Sequence, residues 1–243
     1  MPRVNVKDKR KQQLIDANIA SIAKRGLSET TIAHVSKGAG MSRGIVNFYF
    51  NTKEAMMQET CQHLADDYTA AWQRALEKQA EGTAEEKLQA VVAAHFQPSL
   101  CNQKKLAVWV AFWGHASSHA PYRKVVAEAH EAFKSAISQL LSEAKALQGD
   151  VTQHAYELHA LICGSWLNFL LTASASDRDV LAEKCQAYVS RMLDAAPIGR
   201  EASNVTELKP AEGKKGKKAA AKPKDEAPVL QEDAALGDLF AMR

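Results

Sequence analysis

The chain has 243 residues, 46% of them hydrophobic, so it can bury a core in one domain or two. It shows no N-terminal apolar leader and no apolar run of about 20 residues, which argues against a secreted or membrane-spanning protein; a soluble, cytoplasmic one is expected. The net charge of +3 hides a basic head on an acidic body: residues 1–53 carry ten Lys/Arg against three Asp/Glu, and residues 54–199 carry twelve against seventeen. Such a protein offers only its head to a polyanion.

Residues 1–6 read as a loose arm. Lys7 to Arg25 reads as a helix, because Ile15, Ile19 and Ile22 recur at helical spacing, and Gly26 ends it. Lys7, Lys9, Arg10 and Lys11 crowd its start, where the helix dipole disfavours cations; phosphate contact explains them better than a solvated end does. Two short helices follow. Thr31 is a good N-cap for the first, with Ile32 and Val35 on its buried face. Gly38, Ala39 and Gly40 end it in a tight turn. Ser42 caps the second, whose buried stripe is Val46 and Phe50, with Met41 at the turn.

That arrangement leaves Ser42, Arg43, Gly44, Asn47, Phe48 and Tyr49 at the start or on the outer side of the second helix. The chemistry suits a DNA major groove. Arg43 can pair with guanine and Asn47 with adenine. Gly44 removes bulk at the closest approach, and Tyr49 and Lys53 can hold phosphates. The competing reading is an ordinary αα-hairpin whose polar residues face water.

Lys53 to about Glu81 reads as one long helix with Leu64, Tyr68 and Trp72 on one side. It starts at the head and ends in the body, and is expected to be the only element touching both. Thr83 caps a helix from Ala84 to about Phe96, closed by Pro98. Further helices are expected over Lys104–Ser118 (ended near Pro121), Tyr122–Leu147, Val151–Ala173 and Asp177–Leu193. Strand patterns are absent, so the fold class is all-α, with about nine helices, three small and six larger. The last two helices are richer in apolar residues than one protomer's core needs, which predicts a homodimer. From residue 199 the composition changes. GKKGKKAAAKPK (213–224) cannot bury enough apolar surface to fold, and the tail to 243 is expected to be disordered.

Few residues suggest other chemistry. The four cysteines, Cys61, Cys101, Cys163 and Cys185, form no CxxC pair and read as small buried residues, not as zinc or redox ligands. His115 and His119, four apart on a helix, have metal-ligand spacing but no Glu between them, and read as a structural or solvent-facing pair. His154 and His159 do not share a face well. Cys101 or Cys163 beside a histidine could be imagined as a nucleophile, yet no local motif supports it. No catalytic residue, metal site or cofactor is therefore expected. Aromatic residues concentrate in the body: Trp109, Phe112 and Trp113, then Trp166 and Phe169, with Tyr68 and Trp72 facing them. Rings at helical spacing usually form core.

A resemblance sharpens these readings. Thr31-Ile32, Val35, Ala39-Gly40-Met41-Ser42, Gly44, Tyr49-Phe50 and Lys53-Glu54 resemble the DNA-binding motif of the TetR family of repressors. Asn47 departs from it, since a Tyr is usual there, so the base preference need not match the commoner members. The segments 105–113 (KLAVWVAFW) and 161–167 (LICGSWL) resemble the choline-responsive BetI branch of that family, and the likeness runs from about residue 8 to 195. Cys163 and Asn168 stand where that branch carries Asp and Arg.

The resemblance implies a helix-turn-helix domain over residues 1–53, a ligand-binding and dimerisation body over 54–198, and a tail over 199–243. It implies DNA contacts by Thr31, Ser42, Arg43, Gly44, Asn47, Phe48, Tyr49 and Lys53, on a palindromic operator in double-stranded DNA. It also implies a small-molecule effector, choline or another quaternary ammonium, walled by Trp72, Trp109, Phe112, Trp113 and Trp166; aromatic faces attract such cations. The alternative is a ligand-independent architectural protein whose basic tail supplies nonspecific affinity for DNA.

Overall fold

The structure is a computed structural model that describes residues 6–144, 150–172 and 175–194. Most of the expected arm and all of the tail lie outside the described residues.

Among the described residues there are nine helices and no strands: α1 (Val6–Glu29), α2 (Ile32–Ala39), α3 (Arg43–Tyr49), α4 (Lys53–Lys78), α5 (Ala84–His95), α6 (Gln103–Ala116), α7 (Ala120–Glu143), α8 (Val151–Thr172) and α9 (Ala175–Asp194). The expected split into three small and six larger helices fails at α1, which runs 24 residues. Gly26 still interrupts it: its φ of 83° and ψ of 171° are open to glycine alone, so the straight part of α1 stops there and a last turn follows.

Local chemistry accounts for most helix ends. Thr31, Ser42, Thr52 and Asn102 each accept a backbone N–H from three residues on, which satisfies a donor the helix leaves orphaned. Thr83 and Glu86 form a reciprocal capping box at the start of α5. Gly40 takes the left-handed conformation (φ 65°) that closes α2. Pro121 corrects one expectation. It does not stop α6 but sits in the first turn of α7, where a missing N–H costs nothing. Because α6 ends at Ala116, His119 lies beyond it, and the proposed four-residue His pair does not share a helix.

The head is pinned from inside. Leu14, Ile15, Ile19, Ile22, Val35, Val46 and Phe50 are all buried. Buried Asn18 donates to Thr60 Oγ1 at 2.8 Å, which ties α1 to α4. In the body, α4 packs on α5 and α7, α7 on α6 and α8, and α9 on α5 and α8. One further packing matters for function. α1 lies against α6 as well as against α4, so α4 is not the only element linking head and body. The periodicity of α4 announced its span, but no local pattern in α1 or α6 announces that they meet.

Candidate DNA-reading face and effector site

Helix α3 is held by its inner side and free on its outer one. Val46 is fully buried and Phe50, just past the helix end, is 2% exposed. Ser36 donates its hydroxyl to Met41 O at 2.7 Å and fixes the turn that enters α3. Ser42, Arg43, Gly44, Asn47 and Phe48 are exposed, and the Phe48 ring is 72% accessible. Tyr49 is half-buried against the core, with its ring edge-on to Phe48 at 5.3 Å. Two of the predicted contacts also serve inside the protein. Thr31 caps α2, and Lys53 Nζ donates to Ser28 O at 2.8 Å, tying the start of α4 to the end of α1. At the start of α1, Lys11 is paired with Glu59 at 2.7 Å, so part of its charge is spent holding α1 to α4.

The aromatic residues of the body converge on Tyr68. Its ring lies 5.1–6.2 Å from those of His95, Trp109, Phe133 and Trp166, and 5.9 Å from His130. Trp113, half-buried, packs on Trp109 and His130, and Trp72 packs on Phe133. Four of the five predicted wall residues therefore belong to one cluster. Phe112 does not join them. Its ring meets Tyr122 at 5.0 Å, on the side of α6 that faces the head. Trp166 is anchored by its indole N–H, which donates to His95 O at 3.1 Å.

Sequence reasoning missed His95, His130 and Phe133, which fill the cluster's centre. Phe133 and His130 come from α7, whose rings no motif flagged, and His95 closes α5. Burial pushes the His95 pKa down to about 4, that of His130 to about 3 and that of His159 to about 4, so all three imidazoles are neutral near pH 7. Polar groups in the cluster are left over: His95 Nε2, Trp72 Nε1 and Trp113 Nε1 have no hydrogen-bond partner among the described residues. An acceptor and two donors thus lie within a wall of ring faces. His159 Nε2 lies 3.5 Å from Cys163 Sγ, but burial raises the Cys163 thiol to about 12, the reverse of what a nucleophile needs.

A crevice of about 250 Å³ lies where α1, α4, α6 and α7 meet, lined by Leu27, Lys53, Met57, His115, His119 and Tyr122 among others. His115 Nδ1 bonds Ala111 O, and the His119 ring packs at a tilt against Tyr122 with centroids 3.9 Å apart.

Two family models match the chain. Residues 14–60 match "Bacterial regulatory proteins, tetR family", and residues 84–194 match "BetI-type transcriptional repressor, C-terminal". The chain belongs to the TetR family of transcriptional regulators. Among its relatives are the HTH-type transcriptional regulators BetI of Escherichia coli and Shigella flexneri, each 28% identical over 195 residues, covering 79% of this chain and 98% of theirs. The fold matches a Pseudomonas aeruginosa chain assigned as a transcriptional regulator (TM-score 0.69, 23% identity, 79% of this chain and 93% of that one). It also matches a Saccharomonospora viridis chain, likewise assigned and solved in complex with choline (TM-score 0.64, 18% identity, 75% and 96% covered). At such identities the structural likeness carries the fold alone. These relatives are regulators of transcription, and no described helix of this TetR-family protein is long and apolar enough to cross a membrane.

Proposed function

We propose that the protein is a homodimeric repressor that holds a palindromic operator through two copies of α3 and releases it when a small molecule enters the body. In this reading residues 1–53 are the DNA-binding domain and residues 54–198 the effector and dimerisation body. The observation that carries it is the outer face of α3. Arg43, Asn47 and Phe48 project from a short helix locked by two buried residues and a side-chain cap. Arg43 and Asn47 suit base edges, and Phe48 suits the methyl group of thymine. A Cβ on Gly44 would meet only Ser42 Oγ at 3.7 Å, so nothing inside the protein demands glycine there. Close approach of a DNA groove does.

The dimer is supported by α8 and α9, which expose Tyr156, Leu167, Leu171 and Val180. An apolar surface of this kind suits a two-fold interface. Two recognition helices must then stand about 34–36 Å apart to enter successive major grooves. The effector acts by binding better to the form in which that spacing is lost. Trp109 and Trp113 lie on α6, and α6 packs on α1, so a shift of α6 reaches the head directly as well as through α4.

For the effector, choline or another quaternary ammonium is the first molecule to test. The rings around Tyr68 offer π-faces to a cation, and the unpaired His95 Nε2 and Trp113 Nε1 suit a hydroxyl. The BetI relatives and the choline-bound Saccharomonospora viridis chain support the same choice. Selection from a random double-stranded DNA library should enrich a short inverted repeat. Choline should then quench tryptophan fluorescence and weaken binding to that repeat, and Trp113→Ala should abolish both effects. Sequence-independent coating of DNA would instead favour the architectural reading. Unchanged fluorescence and affinity in millimolar choline would reject choline and leave the repressor standing.

A further inference from the structure

One group of side chains shares His130 with the aromatic cluster and has ligand chemistry that the effector reading does not use. His130 projects from α7, and His159 and Cys163 project from α8 one helical turn apart. Their ligand-capable atoms all lie within 4.8 Å of one another. His159 Nε2 stands 3.5 Å from Cys163 Sγ, and the His130 and His159 rings have centroids 4.5 Å apart. Tetrahedral zinc, with bonds of about 2.0–2.1 Å to nitrogen and about 2.3 Å to sulfur, needs ligand–ligand edges of about 3.3–3.6 Å. The Cys163–His159 separation already has that length. The other ligand–ligand separations are no longer than 4.8 Å.

We propose that His130, His159 and Cys163 form a binding site for a borderline-soft divalent cation of the zinc class.

Four properties of the site support this. Two imidazoles and a thiol are the donor types that zinc selects over calcium or magnesium. All three residues are half-buried, so the ligands are partly shielded from water. The imidazoles are neutral near pH 7 and can coordinate without first losing a proton. Lys134 adds to the burial that depresses both histidines, but it is paired with Glu131 at 2.7 Å, which offsets its repulsion of a metal. Binding forms one sulfur–metal bond and two nitrogen–metal bonds. The Cys163 thiol proton leaves to the buffer, one per ion. Three protein ligands leave a fourth position open, as in zinc sites that take water or a substrate oxygen.

The site stands whether or not choline is the effector, because metal binding can be read without DNA. The probe is cobalt(II) added to the full-length protein after treatment with a chelator. The expected result is one bound cobalt(II) per chain, a near-ultraviolet thiolate charge-transfer band, tetrahedral visible bands, and release of one proton. Equimolar zinc should bleach these bands and magnesium should not. Cys163→Ser should remove the charge-transfer band. His130→Ala and His159→Ala should weaken binding by at least about tenfold, the loss already typical of an outer-shell partner. Far-UV circular dichroism checks each variant, with His159→Gln in reserve should His159→Ala not fold. Absence of the thiolate band in the wild type would overturn the proposal, and so would its persistence in Cys163→Ser. Cobalt bound without a thiolate band would mark surface histidines instead.

Discussion

The outer face of α3 and the ring cluster of the body are opposite kinds of site. The first is built from neighbours in sequence and is exposed. Seven residues, two caps and one turn place Arg43, Asn47 and Phe48 with almost no help from distant parts of the chain. The second is built from α4, α5, α6, α7 and α8 and is mostly buried, with Tyr68, Trp109, Phe133 and Trp166 all under 4% exposed. A recognition surface of the proposed kind meets a rigid groove, which suits a face that is small and fixed locally. The proposed effector site would sit inside the core, where any repacking is felt by several helices at once.

The comparison breaks hardest under truncation of one phenylalanine in each region. Phe133 is fully buried and touches the rings of Tyr68, Trp72, His95 and His159. Phe133→Ala should cost about 3–5 kcal/mol of stability, seen as a lowered urea midpoint. Phe48→Ala, at the other extreme, should change stability by no more than about 0.5 kcal/mol while weakening DNA binding. Equal stability losses in the two variants would show that burial does not separate the regions.

Acid should act next most strongly, and only on the body. His95 is 1% exposed, its Nδ1 bonds Val91 O at 2.7 Å, and burial holds its pKa near 4 against an ordinary 6.5. Below pH 6.5 the unfolded chain takes up this proton, and the folded chain does so only near pH 4. The stability that His95 contributes is therefore complete above pH 6.5 and is lost as pH falls through that window, by on the order of 3 kcal/mol. Chemical denaturation between pH 7 and 4, in chelated buffer, should show that slope for the wild type and a shallower one for His95→Phe.

The head is sharpened by a smaller change. Arg43→Ala should lose about 1–3 kcal/mol of affinity for the selected repeat and relax preference at one base position. Lys53→Ala should weaken all DNA alike and flatten the salt dependence, and it should also loosen the head through the lost bond to Ser28 O. Fluorescence anisotropy at several salt concentrations separates these outcomes. If Arg43→Ala bound the repeat like the wild type, α3 would not be the reader.

Much of this protein was legible in its sequence because the deciding interactions are short-range. Helix spans followed from apolar spacing, as with Leu64, Tyr68 and Trp72, and their starts from Thr31, Ser42 and Thr83, whose caps act over three residues. The exposed set on α3, Tyr49 excepted, followed from Val46 and Phe50 alone. Pro121 was misplaced because a proline can stop one helix or open the next, and local sequence does not say which.

What tertiary structure alone decided is who meets whom. Composition marked the tryptophans but could not show that Phe112 turns to Tyr122 while Trp109 turns to Tyr68. Periodicity assigned α6 to the body without showing that it packs on α1 and so opens a second route to the head. Of the three proposed metal ligands, His159 and Cys163 stand four residues apart on α8, a spacing that by itself singled out neither. The third, His130, lies about thirty residues away on α7 and joins them only because α7 and α8 pack together. Caps and stripes act through bonds and steric limits within a few residues. A buried site depends on how separate helices solve one packing problem, and that solution is written in no single stretch of the chain.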